Sequence, residues 1–62
     1  MNIIGALDGK RYILIVECFC AEWRSLNTGD RFPHSPVWSE DQFQALQWFH
    51  DLPNSTVEIV WE

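Results

Sequence analysis

The chain has 62 residues, of which 47% are hydrophobic and nine aromatic, and four basic against nine acidic side chains give a formal charge of −5. That length sets a single domain spanning 1–62, which buries only about 60% of its unfolded surface and needs large core side chains in compensation. No run approaches the ~18 apolar residues of a membrane span, and a chain this acidic excludes the basic stripe of a direct nucleic-acid binder.

The charge is unevenly placed. Lys10, Arg11, Arg24 and Arg31 all lie in the first 31 residues, where four acids balance them, while residues 32–62 hold five carboxylates and no Lys or Arg. The negative half therefore suits docking on a basic protein surface. The opening Met1-Asn2-Ile3-Ile4-Gly5 lacks the basic start of a signal peptide, which predicts a cytoplasmic protein.

Asp8-Gly9, between Ile3–Leu7 and Arg11–Val16, predicts a two-residue hairpin turn. The second run is read as one long strand over 10–20. Tyr12, Leu14, Val16, Cys18 and Cys20 fall on one face, and Ile13, Ile15, Glu17 and Phe19 on the other. Apolar residues on both faces predict a central strand. Cys18 and Cys20 are read as reduced thiols.

Glu22–Leu26 is a candidate third short strand, followed by the turn cluster Asn27-Thr28-Gly29-Asp30. Residues 31–38 contain two prolines, which rules out regular helix or a central strand.

A helix is announced at Ser39, the N-cap, with Gln42 completing an S-x-x-Q capping box. Trp38 and Phe43 are placed for a hydrophobic staple, and Glu40 and Asp41 suit the positive end of the helix dipole. Ala45, Leu46, Phe49 and Leu52 form the inward stripe, with Phe43 and Trp48 at its edges and Gln44, Gln47 and Asp51 facing water. Pro53 stops the helix. Asn54-Ser55-Thr56 matches a glycosylation acceptor but reads more simply as a turn. Thr56–Trp61 alternates as a last strand, with Val57, Ile59 and Trp61 on one face.

The predicted fold is α+β: a three- to four-stranded antiparallel sheet with one helix packed on one face, in ββ(β)αβ order. The short helix-to-strand connection leads us to expect the last strand beside the long central one.

Several chemistries are weighed against plainer roles. Two Cys and two His raise zinc, but C-x-C in mid-strand makes no metal knuckle. Cys18 and Cys20 then serve as small core residues, His34 belongs to a loop and His50 to the helix. A Cys–His–Asp nucleophile from Cys18 or Cys20 with His50 and Asp51 would sit in negative surroundings that disfavour a thiolate. The chain has no Gly-rich phosphate loop, so it reads as a non-enzyme with no cofactor and no metal site. Mimicry of a polyanion is limited by the modest acid density, which equally serves solubility.

The aromatics carry the remaining signal. Four tryptophans are many to bury in 62 residues, and Trp is a favoured interface anchor. Trp38 reads as a core cap, while Trp48 and Trp23 read as interface residues.

In its strand order, acidity and aromatic load, carried by Tyr12–Val16, Ser39–Leu52 and Val57–Trp61, the chain resembles the short accessory proteins with which bacteriophages act on host machinery. The podovirus inhibitors of bacterial RNA polymerase are the nearest in layout, with anti-CRISPR proteins a looser group, although the former carry more basic charge on their strands. The resemblance implies a stoichiometric inhibitor, phage-encoded and acting in the bacterial cytoplasm. It would bind a basic-surfaced host protein or nucleoprotein complex, such as a polymerase, CRISPR effector or nuclease, and neither nucleic acid nor membrane directly. The candidate contact residues are Trp48, Asp51, Glu40 and Asp41 on the helix, His34 and Trp38 in the loop, and Trp23. The alternative is a structural or regulatory subunit that self-associates, as a homodimer for instance, through an open sheet edge, the first or the last strand.

Overall fold

A computed structural model describes residues 2–17, 20–33, 35–38 and 42–61. Five elements follow in chain order: β1 (Asn2–Leu7), β2 (Lys10–Glu17), β3 (Cys20–Ser25), α1 (Gln42–His50) and β4 (Ser55–Val60). The strands form one antiparallel sheet in the order β3-β2-β1-β4, with α1 packed on one face. This is the α+β architecture expected.

The Asp8-Gly9 turn joins β1 and β2, pairing Leu7 with Lys10. Both residues have positive φ (52° and 78°), the geometry that matches the twist of a two-residue hairpin and that Asp-Gly tolerates. The long second strand is shorter than predicted. β2 ends at Glu17, which pairs with Cys20 of β3, so Cys20 belongs to the third strand. Cys18 lies outside the described residues.

The last strand is a correction. β4 pairs with β1, Asn2 opposite Val60 through Leu7 opposite Ser55, and not with β2. The reason is occupancy: the two hairpins flank β2 with β1 and β3, so only the outer edges of β1 and β3 remain. The edge of β3 is taken by the following loop. Ala21 and Trp38 exchange both backbone hydrogen bonds (2.8 and 3.0 Å), Phe32 N–H donates to Trp23 O, and Ser25 N–H donates to Asp30 O. β1 alone was left for β4, and the first strand is interior.

On the helix-covered face the cross-strand row Ile59–Ile3–Leu14–Trp23 lies beside the row Val57–Gly5–Tyr12–Ser25. Ile3, Leu14, Ala21 and Trp23 meet Ala45 and Phe49 of α1 in the core. Phe49 and Trp23 are 0% exposed, with ring centroids 4.3 Å apart. The loop folds back over this layer: Phe32 packs edge-on against Tyr12 at 4.6 Å and near Trp48 at 5.8 Å.

The opposite sheet face has no element over it among the described residues. Ile4 is nonetheless buried there, flanked in register by Ile13 and Glu58.

The helix is described from Gln42, so the predicted cap at Ser39 lies outside the described residues. Trp38's ring packs on Trp48 at 5.6 Å and Phe43 is 73% exposed, while the residues between them, 39–41, lie outside the described residues. The helix ends at His50, three residues ahead of Pro53. Leu52 N–H donates to Phe49 O, and Asn54 takes a left-handed φ of 61°. The Ser55 hydroxyl lies 2.6 Å from Leu52 O, 2.8 Å from Phe49 O and 3.3 Å from His50 O, so β4's first residue closes the turn that follows the helix.

Candidate protein-binding surface

The seven candidate contact residues separate once the fold is known. Trp23 is removed from the set: it is fully buried, and its indole N–H donates to the Ala45 carbonyl at 2.9 Å. That bond satisfies the one polar atom of the ring, so the tryptophan read as a surface anchor is the centre of the core. Its strand register explains this, because Trp23 stands beside Leu14 under the helix.

Trp48 and Trp38 are half-buried and packed on each other, with Phe32 also against Trp48. They fix the loop to the helix. Asp51 is exposed just beyond the helix and accepts a hydrogen bond from the Gln47 side chain at 3.0 Å. Glu40, Asp41 and His34 lie outside the described residues.

Helical spacing puts Phe43, Gln47 and Asp51 in one row at i, i+4 and i+8, and all three are exposed. Gln44 borders this row and is also exposed. The sequence placed Gln44, Gln47 and Asp51 toward water but put Phe43 at the edge of the buried stripe. The buried positions Ala45 and Phe49 centre the stripe on one side, which turns Phe43 outward.

A second group was missed for a different reason. Val57, Ile59 and Trp61 were read as sharing one face, without a statement of how much of it is covered, and Ile59 is 45% and Trp61 77% exposed. β4 is an edge strand of the sheet, with a neighbouring strand on one side among the described residues. Val57 packs against the core, while Ile59 and Trp61 further along the strand are left exposed.

The basic residues are partly occupied. Glu22 on β3 pairs with Arg24, whose Nε donates to it at 2.7 Å, and lies 3.8 Å from Arg31 Nε. Arg31 also donates to the Ser35 carbonyl at 2.7 Å, and Arg24 to Gly29 O at 3.2 Å. Two of the four cations thus hold the loop against the β3 edge, opposite β4.

Among the described residues no three His, Cys, Asp or Glu side chains converge as metal ligands. An open depression of about 300 Å³ is lined by Leu7, Asp8, Lys10, Tyr12, Phe32 and Pro33, and besides Tyr12 its ionisable groups are Asp8 of the turn and Lys10 at the start of β2. Among the described residues no helix is long and apolar enough to cross a membrane.

Comparison with known proteins found no matching family, no matching curated protein and no matching solved structure. The functional reading therefore stands on the surface itself.

Proposed function

We propose that this chain is a small protein-binding module that acts stoichiometrically, docking the outer face of α1 on a basic protein surface. The observation that carries this reading is the exposed row Phe43–Gln47–Asp51 in a half of the chain without Lys or Arg. An exposed aromatic flanked by amides and a carboxylate offers apolar area together with a charge that selects a cationic partner. Arg24 and Arg31, tied to Glu22 at the β3 edge, do not offset that charge locally.

In its finer form the proposal is a phage-encoded inhibitor of a host nucleic-acid-handling complex, such as RNA polymerase, a CRISPR effector or a nuclease. The layout of strands, loop, helix and last strand, and the acidic balance, support that class of target. A basic partner surface of this kind is one that normally holds nucleic acid.

Affinity capture from a bacterial lysate at low and high salt tests the reading. Recovery of a polymerase or nuclease complex at low salt, reduced at high salt and by Asp51→Lys or Phe43→Ala, is the expected result. Capture that neither substitution changes would remove the helix from the interface. The alternative of a self-associating subunit is favoured by one specific observation, the outer edge of β4, which no other strand of the described residues pairs with.

A further inference from the structure

The two sheet edges differ. The β3 edge is closed by the 30–38 loop through backbone hydrogen bonds at Ala21, Trp23 and Ser25. Among the described residues, β4 has only β1 beside it, on its inner side. Natural edge strands are usually guarded by proline, lysine, a bulge or a covering segment. Ser55–Val60 contains no proline or lysine, and its six residues pair with β1 in unbroken register. Its one charge is Glu58. The apolar residues next to this edge, Ile59 and Trp61, are both exposed, at 45% and 77%.

We propose that β4 pairs with β4 of a second copy of this chain, antiparallel, to form a two-fold dimer with one continuous eight-stranded sheet. The register follows from elementary constraints. Residues opposite each other in an antiparallel pair point to the same side. The helix-side residues Val57 and Ile59 must therefore meet helix-side residues of the second copy. Placing Glu58 on the axis would oppose it to Glu58 of the second copy, a destabilising like-charge pair. Placing Val57 on the axis leaves Trp61 opposite Pro53, outside the strand. Placing Val60 on the axis sets Glu58 opposite position 62, another glutamate.

Of the registers centred on residues 57–60, the one with Ile59 on the two-fold axis avoids all three and is the one we propose. It sets Trp61 beside Val57 of the second copy and Glu58 beside Val60 of the second copy. The most exposed tryptophan then joins a cross-strand aromatic–β-branched pair, and the two Glu58 carboxylates are diagonal rather than opposed.

A single strand pair buries less than the about 1,200 Å² of standard interfaces, so association in the micromolar range is expected. Both copies carry −5, so salt strengthens the dimer by screening their repulsion. Binding to a basic partner responds in the opposite direction. Both helices lie on the same side of the joined sheet, which presents the Phe43–Gln47–Asp51 row twice and allows avid binding to a repeated target. The dimer stands independently of the partner proposed above.

Light scattering of the full chain under reducing conditions, from low micromolar to millimolar and at low and high salt, is the first test. A monomer–dimer equilibrium that strengthens with salt is expected, and a monomer throughout overturns the proposal. The second test places Ile59→Cys in a Cys18→Ser, Cys20→Ser background. Axial Cα atoms about 4.5–5.5 Å apart lie within disulfide range, so this variant should cross-link under oxidation. Glu58→Cys, with its mates about 7–8 Å apart, should cross-link far less. A dimer in which Ile59→Cys stays unlinked and which Ile59→Lys leaves intact would place the contact elsewhere, on the uncovered face around Ile4 first, and overturn the proposal.

Discussion

The ring of Phe49 fills the space directly above Gly5, where a Cβ would sit 2.5 Å from Cε1 and 2.7 Å from Cζ. Gly5 is central in β1, a strand bonded on both sides, so neither backbone nor ring has room to withdraw. The helix can approach the sheet this closely only because that position has no side chain. Gly5→Ala is expected to cost about 1–3 kcal/mol through overpacking, read as a lower midpoint in denaturant unfolding. Gly9→Asn is the comparison: nothing lies within 4 Å of its Cβ site, so its expected cost of about 1 kcal/mol comes from a side chain held at a φ of 78° and not from overpacking.

Trp23 and Trp61 are opposite cases of one residue type. Trp23→Phe removes the hydrogen bond to Ala45 O and leaves a small void, at an expected cost of about 1–3 kcal/mol. Trp61→Phe should change monomer stability by less than about 0.5 kcal/mol, as exposed substitutions do. Acrylamide quenching separates them: the Trp61→Phe variant should lose most of the readily quenched emission, and Trp23→Phe little of it.

Ser55→Ala tests the closure of the helix end. The hydroxyl reaches the carbonyls of Phe49 and Leu52, and its removal should destabilise by about 1 kcal/mol. Ser55→Thr keeps the hydroxyl and should recover most of the loss in the same thermal melt.

For probing the partner surface, Asp51→Lys and Phe43→Ala are the suitable substitutions, because both positions are exposed. Asp51→Lys breaks only the bond from Gln47 and should leave the circular dichroism spectrum unchanged while reducing low-salt capture. Trp48→Ala is different. It withdraws a ring that packs on Phe32 and Trp38, so part of any lost binding would come from a loosened loop, and a fall in melting temperature should accompany it.

Glu22→Gln should lower stability by no more than about 1 kcal/mol, since Arg24 and Arg31 are about half exposed and such pairs are weak. Its sharper readout is the loop: hydrogen exchange at the Phe32 amide, bonded to Trp23 O, should speed up.

Local chemistry made much of this molecule readable from its sequence. Asp8-Gly9 dictates a hairpin because few other dipeptides accept two positive φ values in succession. The spacing of Ala45 and Phe49 fixes the helix and its buried side, and the absence of Lys and Arg after Arg31 sets the sign of its outer surface. What only the tertiary structure decided was neighbour choice and cover. Trp23 looks the same in sequence as Trp61, and the register of β3 under the helix buries one, while the outer position of β4 exposes the other. The pairing of β4 with β1 followed from the 30–38 loop closing the rival edge of β3, a competition between segments far apart in the chain. Periodicity tells which residues share a face; it carries no information about which edge is free or how far a helix reaches, because those depend on all strands at once.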